Sequence, residues 1–212
     1  MILQERDYQI FREINRWRFC LSRHIKELCG FTTERACNRR LQILREAGYI
    51  ERQAILYGIP RLYTLTHKSR VLTGANKNKT SIRVDTIAHD IAVIDTFIHF
   101  MSISKSKDLI FTLDTLTTER EMQSKDGFIS RRHYPDFVIC GKDGTSYCIE
   151  VELSLKNRAR LRKNIQQNFI EYDYQTWIVP KSDTAIRKVL NDSETEYPNI
   201  EIIDLERVKE LC

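Results

Sequence analysis

Over residues 74 to 81 the chain reads GANKNKTS, eight positions without one large apolar side chain. Such a stretch cannot enter a hydrophobic core, so the segments on its two sides must pack separately. With 212 residues there is chain enough for two small cores. Charge divides at the same place: residues 1 to 80 hold 16 Lys and Arg against 7 Asp and Glu, and the remainder holds 18 against 22. Phosphate contacts need Lys and Arg, whereas metal sites need Asp and Glu. A basic module joined to an acidic one therefore suggests a nucleic-acid clamp attached to something that concentrates carboxylates. Two domains with ordinary solvated faces would show the same asymmetry, so the motifs have to decide.

Composition removes several classes. At 42% hydrophobic and 30% charged, with 7 Gly and 4 Pro, the chain is neither collagen-like, nor low-complexity, nor disordered throughout. The longest unbroken aliphatic run covers residues 91 to 94, against roughly twenty for a membrane-spanning helix, and the start MILQERDYQ is charged. The expectation is a cytoplasmic protein with no membrane insertion. Six cysteines without a CxxC read as free thiols. Cys20, His24, Cys29 and Cys37 could be drawn as a zinc set, but their spacing matches no knuckle or ribbon, and buried core cysteines are the better reading.

In the first module Ile10, Phe11, Ile14 and Trp17 recur at three and four, the stripe of a helix over residues 7 to 17. Ser22 is the expected N-cap of a short second helix that ends at Cys29-Gly30. Thr32 or Thr33 then caps a third helix, which turns Cys37, Leu41 and Leu44 inward and Arg35, Asn38, Arg39 and Gln42 outward before Gly48 closes it. Strand-like stretches at 49 to 52 and 61 to 65 form a hairpin, with Arg61 on the second. This order, with LQILREAGYIER leading into the hairpin, resembles the winged-helix DNA-binding domains over about residues 3 to 73. The resemblance implies a third helix in the major groove, where Arg meets guanine and Asn or Gln meets adenine, with Arg61 on phosphate. A protein-interaction module is the alternative.

After the linker a long helix carries Ile87, Ile91, Ile94, Ile98 and Met101 on one stripe. Strands are expected at 109 to 113, 134 to 140 and 146 to 153, the last two joined by the turn Gly141-Lys142-Asp143-Gly144. A very basic helix over 155 to 172, a strand at 175 to 179, a helix at 184 to 190 and a strand at 200 to 203 complete the chain.

Pro135-Asp136 opens one hairpin strand and Glu150-Val151-Glu152 lies in the other. Glu150 and Glu152 alternate by two and project from one face of the sheet, where Asp136 joins them if the register allows. Three carboxylates among apolar neighbours repel one another and lose hydration, and a divalent cation is the economical remedy.

This PD(x13)ExE arrangement resembles the PD-(D/E)xK nucleases. The resemblance implies a restriction-endonuclease-like α+β or α/β domain with a mixed central sheet, in which Asp136 and Glu150 bind Mg²⁺ or Mn²⁺. The usual Lys is replaced by Glu152, which becomes base or third metal ligand, or else Lys156 supplies the cation. Taken with His89-Asp90 and Thr118-Glu119-Arg120-Glu121, the whole chain resembles the replication-relaxation family, the MobC-type relaxases of mobilisable plasmids. That resemblance implies nicking of one strand of DNA at a transfer origin, with an accessory relaxosome protein and a coupling ATPase as partners, and leaves room for a homodimer. His89 and Glu121 join the catalytic candidates on it, against the plain readings of a satisfied helix histidine and a surface acid. Arg158, Arg162 and Lys163, in the basic run after ExE, are read as phosphate contacts. The expected organisation is a winged helix over 1 to 73, a linker over 74 to 81 and a nuclease-like domain over 82 to 212. The rivals are a non-catalytic DNA-binding regulator or accessory factor, and a restriction or transposon end-cleaving nuclease.

Overall fold

The computed structural model describes residues 2 to 55, 57, 58, 60 to 74, 82 to 107, 115 to 127 and 132 to 209. The chain divides into two compact units, residues 1 to 94 and 95 to 212. The first begins with three helices, α1 (Glu5–Trp17), α2 (Ser22–Leu28) and α3 (Glu34–Glu46). Their apolar stripes meet, so that Ile10, Phe11, Ile14, Ile25, Leu28, Cys37, Leu41 and Leu44 are buried together with Trp17. Side chains accept backbone N–H groups where each of these helices begins. Asp7 Oδ2 accepts from the Gln4 N–H at 2.7 Å ahead of α1. Thr33 Oγ1 accepts from the Ala36 N–H at 3.1 Å in α3. The expected cap at Ser22 is corrected: Ser22 is the first helical residue of α2, and the imidazole of His24 accepts the Leu21 N–H at 3.2 Å.

Two short strands come next, β1 (Ile50–Gln53) and β2 (Leu62–Leu65), antiparallel with Ile50 opposite Leu65 and Gln53 opposite Leu62, and then helix α4 (His67–Leu72). The expected linker lies outside the described residues apart from Gly74. The unit boundary falls later, inside helix α5 (Ile87–Lys107), because Ile87 with the half-buried Ile82 and Ile91 packs around Phe19, Leu21 and Leu62 of the first unit. One stretch, Val84–Ile103, is long and apolar enough to cross a membrane by length and composition, and half of it is buried in the protein. Counting only unbroken aliphatic runs does not detect it.

The second unit is α+β. After the remainder of α5 come β3 (Leu116–Thr118), α6 (Glu119–Asp126), β4 (Phe137–Cys140), β5 (Ser146–Val151), α7 (Arg158–Glu171), β6 (Tyr174–Val179), α8 (Thr184–Glu194), β7 (Ile200–Asp204) and α9 (Leu205–Lys209). The five strands form one mixed sheet in the order β3-β4-β5-β6-β7. The tight turn at Gly144, whose φ is +87°, returns β5 antiparallel to β4, whereas the α7 and α8 crossovers bring β6 and β7 back parallel. One face of the sheet packs Trp177 and Val179 against Leu161 and Ile165 of α7 and Ile186, Val189 and Leu190 of α8. On the other, Phe97 of α5 meets Phe137 edge-on at 5.7 Å.

The structure amends two expectations for this unit and leaves one outside the described residues. The strand expected at 109 to 113 falls outside the described residues, and the first strand described in this unit is β3. The strand expected from 134 starts at Phe137, since Pro135 has no N–H to give a ladder. The helix expected from 155 starts at Arg158, because Asn157 Oδ1 takes the Arg160 N–H at 3.0 Å and sets the cap there.

Candidate functional site

The β4/β5 register puts Phe137 opposite Ile149, so the next step of the ladder sets Asp136 opposite Glu150. Cross-strand partners share a face, and Asp136 is pinned from two sides. Its Oδ2 accepts the Val151 N–H at 2.7 Å, and its carbonyl accepts the Glu119 N–H at 2.9 Å. Glu150 is only 7% exposed. Its Oε1 receives Nδ2 of Asn168 from α7 at 2.8 Å and stands 2.5 Å from Nε2 of His133.

The electrostatics derive from this packing. Burial pushes the Glu150 carboxyl above its ordinary range, the bonds from His133 and Asn168 pull it back in part, and the charge of Asp136 adds to the rise. Burial works against the charged form of His133. Its bond to Glu150 and the carboxylates of Glu150, Asp136 and Glu119 outweigh that, and its pKa is raised. The centre is therefore an acidic pair that draws a proton toward itself through an imidazole.

The other sequence candidates are distributed around this pair. The N–H of Glu152 continues the parallel ladder by donating to the Ile178 carbonyl at 3.0 Å, one residue beyond the end of β5, and its side chain is half-buried. Lys156 is exposed in the segment leading to α7, and Arg158, Arg162 and Lys163 are exposed on the first turns of that helix. Glu121 closes a capping box, its Oε2 taking the N–H and hydroxyl of Thr118 at 2.8 and 3.0 Å. Of the acids in this segment, Glu119 is the one whose charge reaches His133. His89 belongs to the first unit, its Nδ1 3.8 Å from the Asp90 carboxylate. Arg35, Asn38 and Arg39 of α3 are exposed, as is Arg61 before β2; the amide of Gln42 donates to Glu46 at 2.8 Å.

The sequence reading does not single out His133 or Asn168. Asn168 was detectable in principle: Leu161, Ile165 and Asn168 form one buried stripe of α7, and an amide on such a stripe needs a partner. His133 sits in an irregular segment with no period to mark it.

Among the described residues no group of three or more His, Cys, Asp or Glu side chains is placed to hold a metal ion. The pair formed by Asp136 and Glu150 still suits Mg²⁺ or Mn²⁺, which take hard oxygen donors; Mg²⁺ commonly binds through one or two carboxylates with waters and substrate phosphates in its other positions. The burial that raises Glu150 is the cost that a bound cation would offset.

No curated protein matches the chain. The family described as Replication-relaxation matches residues 11–189, across both units. With most of its length so matched, the chain belongs to the Replication-relaxation family, and that membership points to a role in plasmid replication or mobilisation.

Proposed function

We propose that this protein is a metal-dependent, site-specific DNA endonuclease, a relaxase of the MobC type that nicks one strand at a plasmid transfer origin. In this reading the first unit is a winged helix that selects the DNA and the second is a PD-(D/E)xK nuclease domain. The observation that carries it is the acidic pair, half-buried Asp136 facing buried Glu150 across the β4/β5 hairpin.

Asp136 and Glu150 would hold Mg²⁺ or Mn²⁺, whose contribution is Lewis acidity at the scissile phosphate. The Val151 N–H fixes Asp136, and Asn168 Nδ2 fixes Glu150, so neither carboxylate has to be ordered when DNA arrives. His133 Nε2 keeps a proton against Glu150 Oε1 and offsets part of the buried charge. Glu152, or the exposed Lys156, takes the proton of the attacking water or orients it. Arg158, Arg162 and Lys163, exposed where α7 begins, meet the backbone phosphates. An accessory relaxosome protein and a coupling ATPase are the partners this activity requires.

A second reading rests on Glu150 itself. Its Oε1 is already taken by His133 and Asn168, and the customary Lys is replaced by Glu152, which suits a DNA-binding regulator that has lost cleavage.

The deciding experiment incubates supercoiled plasmid carrying the DNA that flanks the gene, with and without Mg²⁺ or Mn²⁺. Nicked circles that need the metal are expected, and Asp136→Ala and Glu150→Ala should each lower the rate by about 10²–10³-fold or more while still retarding the DNA. Retardation without cutting would transfer the assignment to the regulator, and undiminished nicking by both variants would remove the acidic pair from the chemistry.

A further inference from the structure

In the first unit a cleft of about 430 Å³ opens between the start of α1 and the start of α3. Arg6, Arg35, Arg39 and Arg40 line it against a single acid, Asp7, with Phe31 and Ile43 as apolar wall. Asp7 is fully buried and is neutralised from inside the protein: Arg40 Nε reaches its Oδ1 at 2.7 Å, and Arg40 Nη2 pairs with its Oδ2. That hydrogen bond raises the Arg40 pKa. The cleft therefore keeps an uncompensated positive charge, from the other three arginines. Among the described residues no carboxylate pairs with Arg6, Arg35 or Arg39, and all three are exposed. Arg6 is also pre-positioned, its guanidinium 4.8 Å from the centre of the Phe31 ring, so little side-chain freedom is lost when it binds an anion.

The helical phase of α3 matters as much as the charge. Arg35, Arg39 and Ile43 step by four along the edge that lines the cleft, and Asn38 and Gln42 step along the other edge, outside it. Resting on the DNA-binding reading of this unit, we propose that the cleft seats a backbone phosphate of duplex DNA, clamped by Arg6 of α1 with Arg35 and Arg39 of α3. Base reading then falls to Asn38 and Gln42. In this arrangement α1 anchors the duplex, and the two arginines of α3 set position without carrying sequence information.

The test measures the affinity of the full chain for duplex DNA against salt concentration. Each phosphate contact contributes about 0.9 to the slope of log affinity on log salt. Arg6→Gln should reduce the slope by about that amount and weaken matched and scrambled duplexes alike, with only the small loss of thermal stability that parting from the Phe31 ring brings. Asn38→Ala should alter the preference between duplexes and leave the slope as it was. A wild-type slope and affinity in Arg6→Gln, with wild-type protein binding DNA normally, overturns the clamp and leaves the DNA-binding reading intact. Failure of the wild-type protein to bind any duplex overturns both. A parallel titration with AMP separates the two sources of phosphate: tight AMP binding that is lost in Arg6→Gln, with no change in the DNA slope, reassigns the cleft to a free nucleotide and overturns the backbone proposal.

Discussion

Glu150 shows at the scale of one residue how far a single side chain can depart from what packing prefers. A buried carboxylate beside another carboxylate is costly, and the protein meets that cost with one amide and one imidazole. The pKa values of Glu150 and His133 are both raised, so the folded chain binds more protons at this pair than the unfolded chain does. Stability from the pair is then complete at low pH and declines as pH rises; the His133 share is lost above 6.5, its ordinary value, on passing through the raised one. Glu150→Gln keeps a hydrogen-bonding side chain and removes the charge that raises His133. Its thermal midpoint should therefore depend less on pH in that window than the wild-type midpoint, and on the proposed endonuclease reading nicking should fall as in Glu150→Ala. A steeper decline in the variant, measured by thermal unfolding across the window, would contradict the assignment. The pair was legible in the sequence because PD and ExE flank a recognisable hairpin turn. Its contacts were not: Asn168 shows only as a buried amide in need of a partner, whose identity depends on the rotational phase of a helix reached after Glu150, and His133 depends on the path of an irregular segment before β4.

Among the elements, legibility followed periodicity. The helices α1 and α3 carry strong apolar periods, and they, the basic helix α7 and the β4/β5 hairpin with its Gly-Lys-Asp-Gly turn lie within a few residues of where the sequence predicts them. Strand β3 has three residues, too few to show any period, and α6 is built almost wholly from polar residues, so its only mark is the capping box of Thr118 and Glu121. Caps also decided the ends. Thr33→Ala removes the acceptor for the Ala36 N–H and should cost about 1 kcal/mol, the usual worth of an N-cap. Chemical denaturation should show this as a lower midpoint with an unchanged m-value. A change in m would instead mean that α3 frays in the native state.

For the molecule as a whole, the distribution of thiols provides a probe of global opening. Cys20, Cys29, Cys37 and Cys148 are buried and Cys140 is exposed, and all five are free. Burial pushes the Cys37 thiol up to about 11 and raises those of Cys20, Cys29 and Cys148 as well, so all four are protonated and inert near neutral pH. Peptide mapping after brief alkylation of the native protein should find Cys140 modified and these four protected, with the four reacting together once the chain is unfolded. Early labelling of Cys148 would mean that the sheet opens around the acidic pair without global unfolding. The connectivity of that sheet also bears on chain entropy. Asp136 and Glu150 are 14 positions apart, and the hairpin turn alone brings them opposite each other. Closing so short a loop costs little, whereas Asn168 reaches Glu150 only after α7 has docked. Any state of the chain with the hairpin in register thus already holds the two carboxylates face to face, and until α7 docks their repulsion weighs on the hairpin alone.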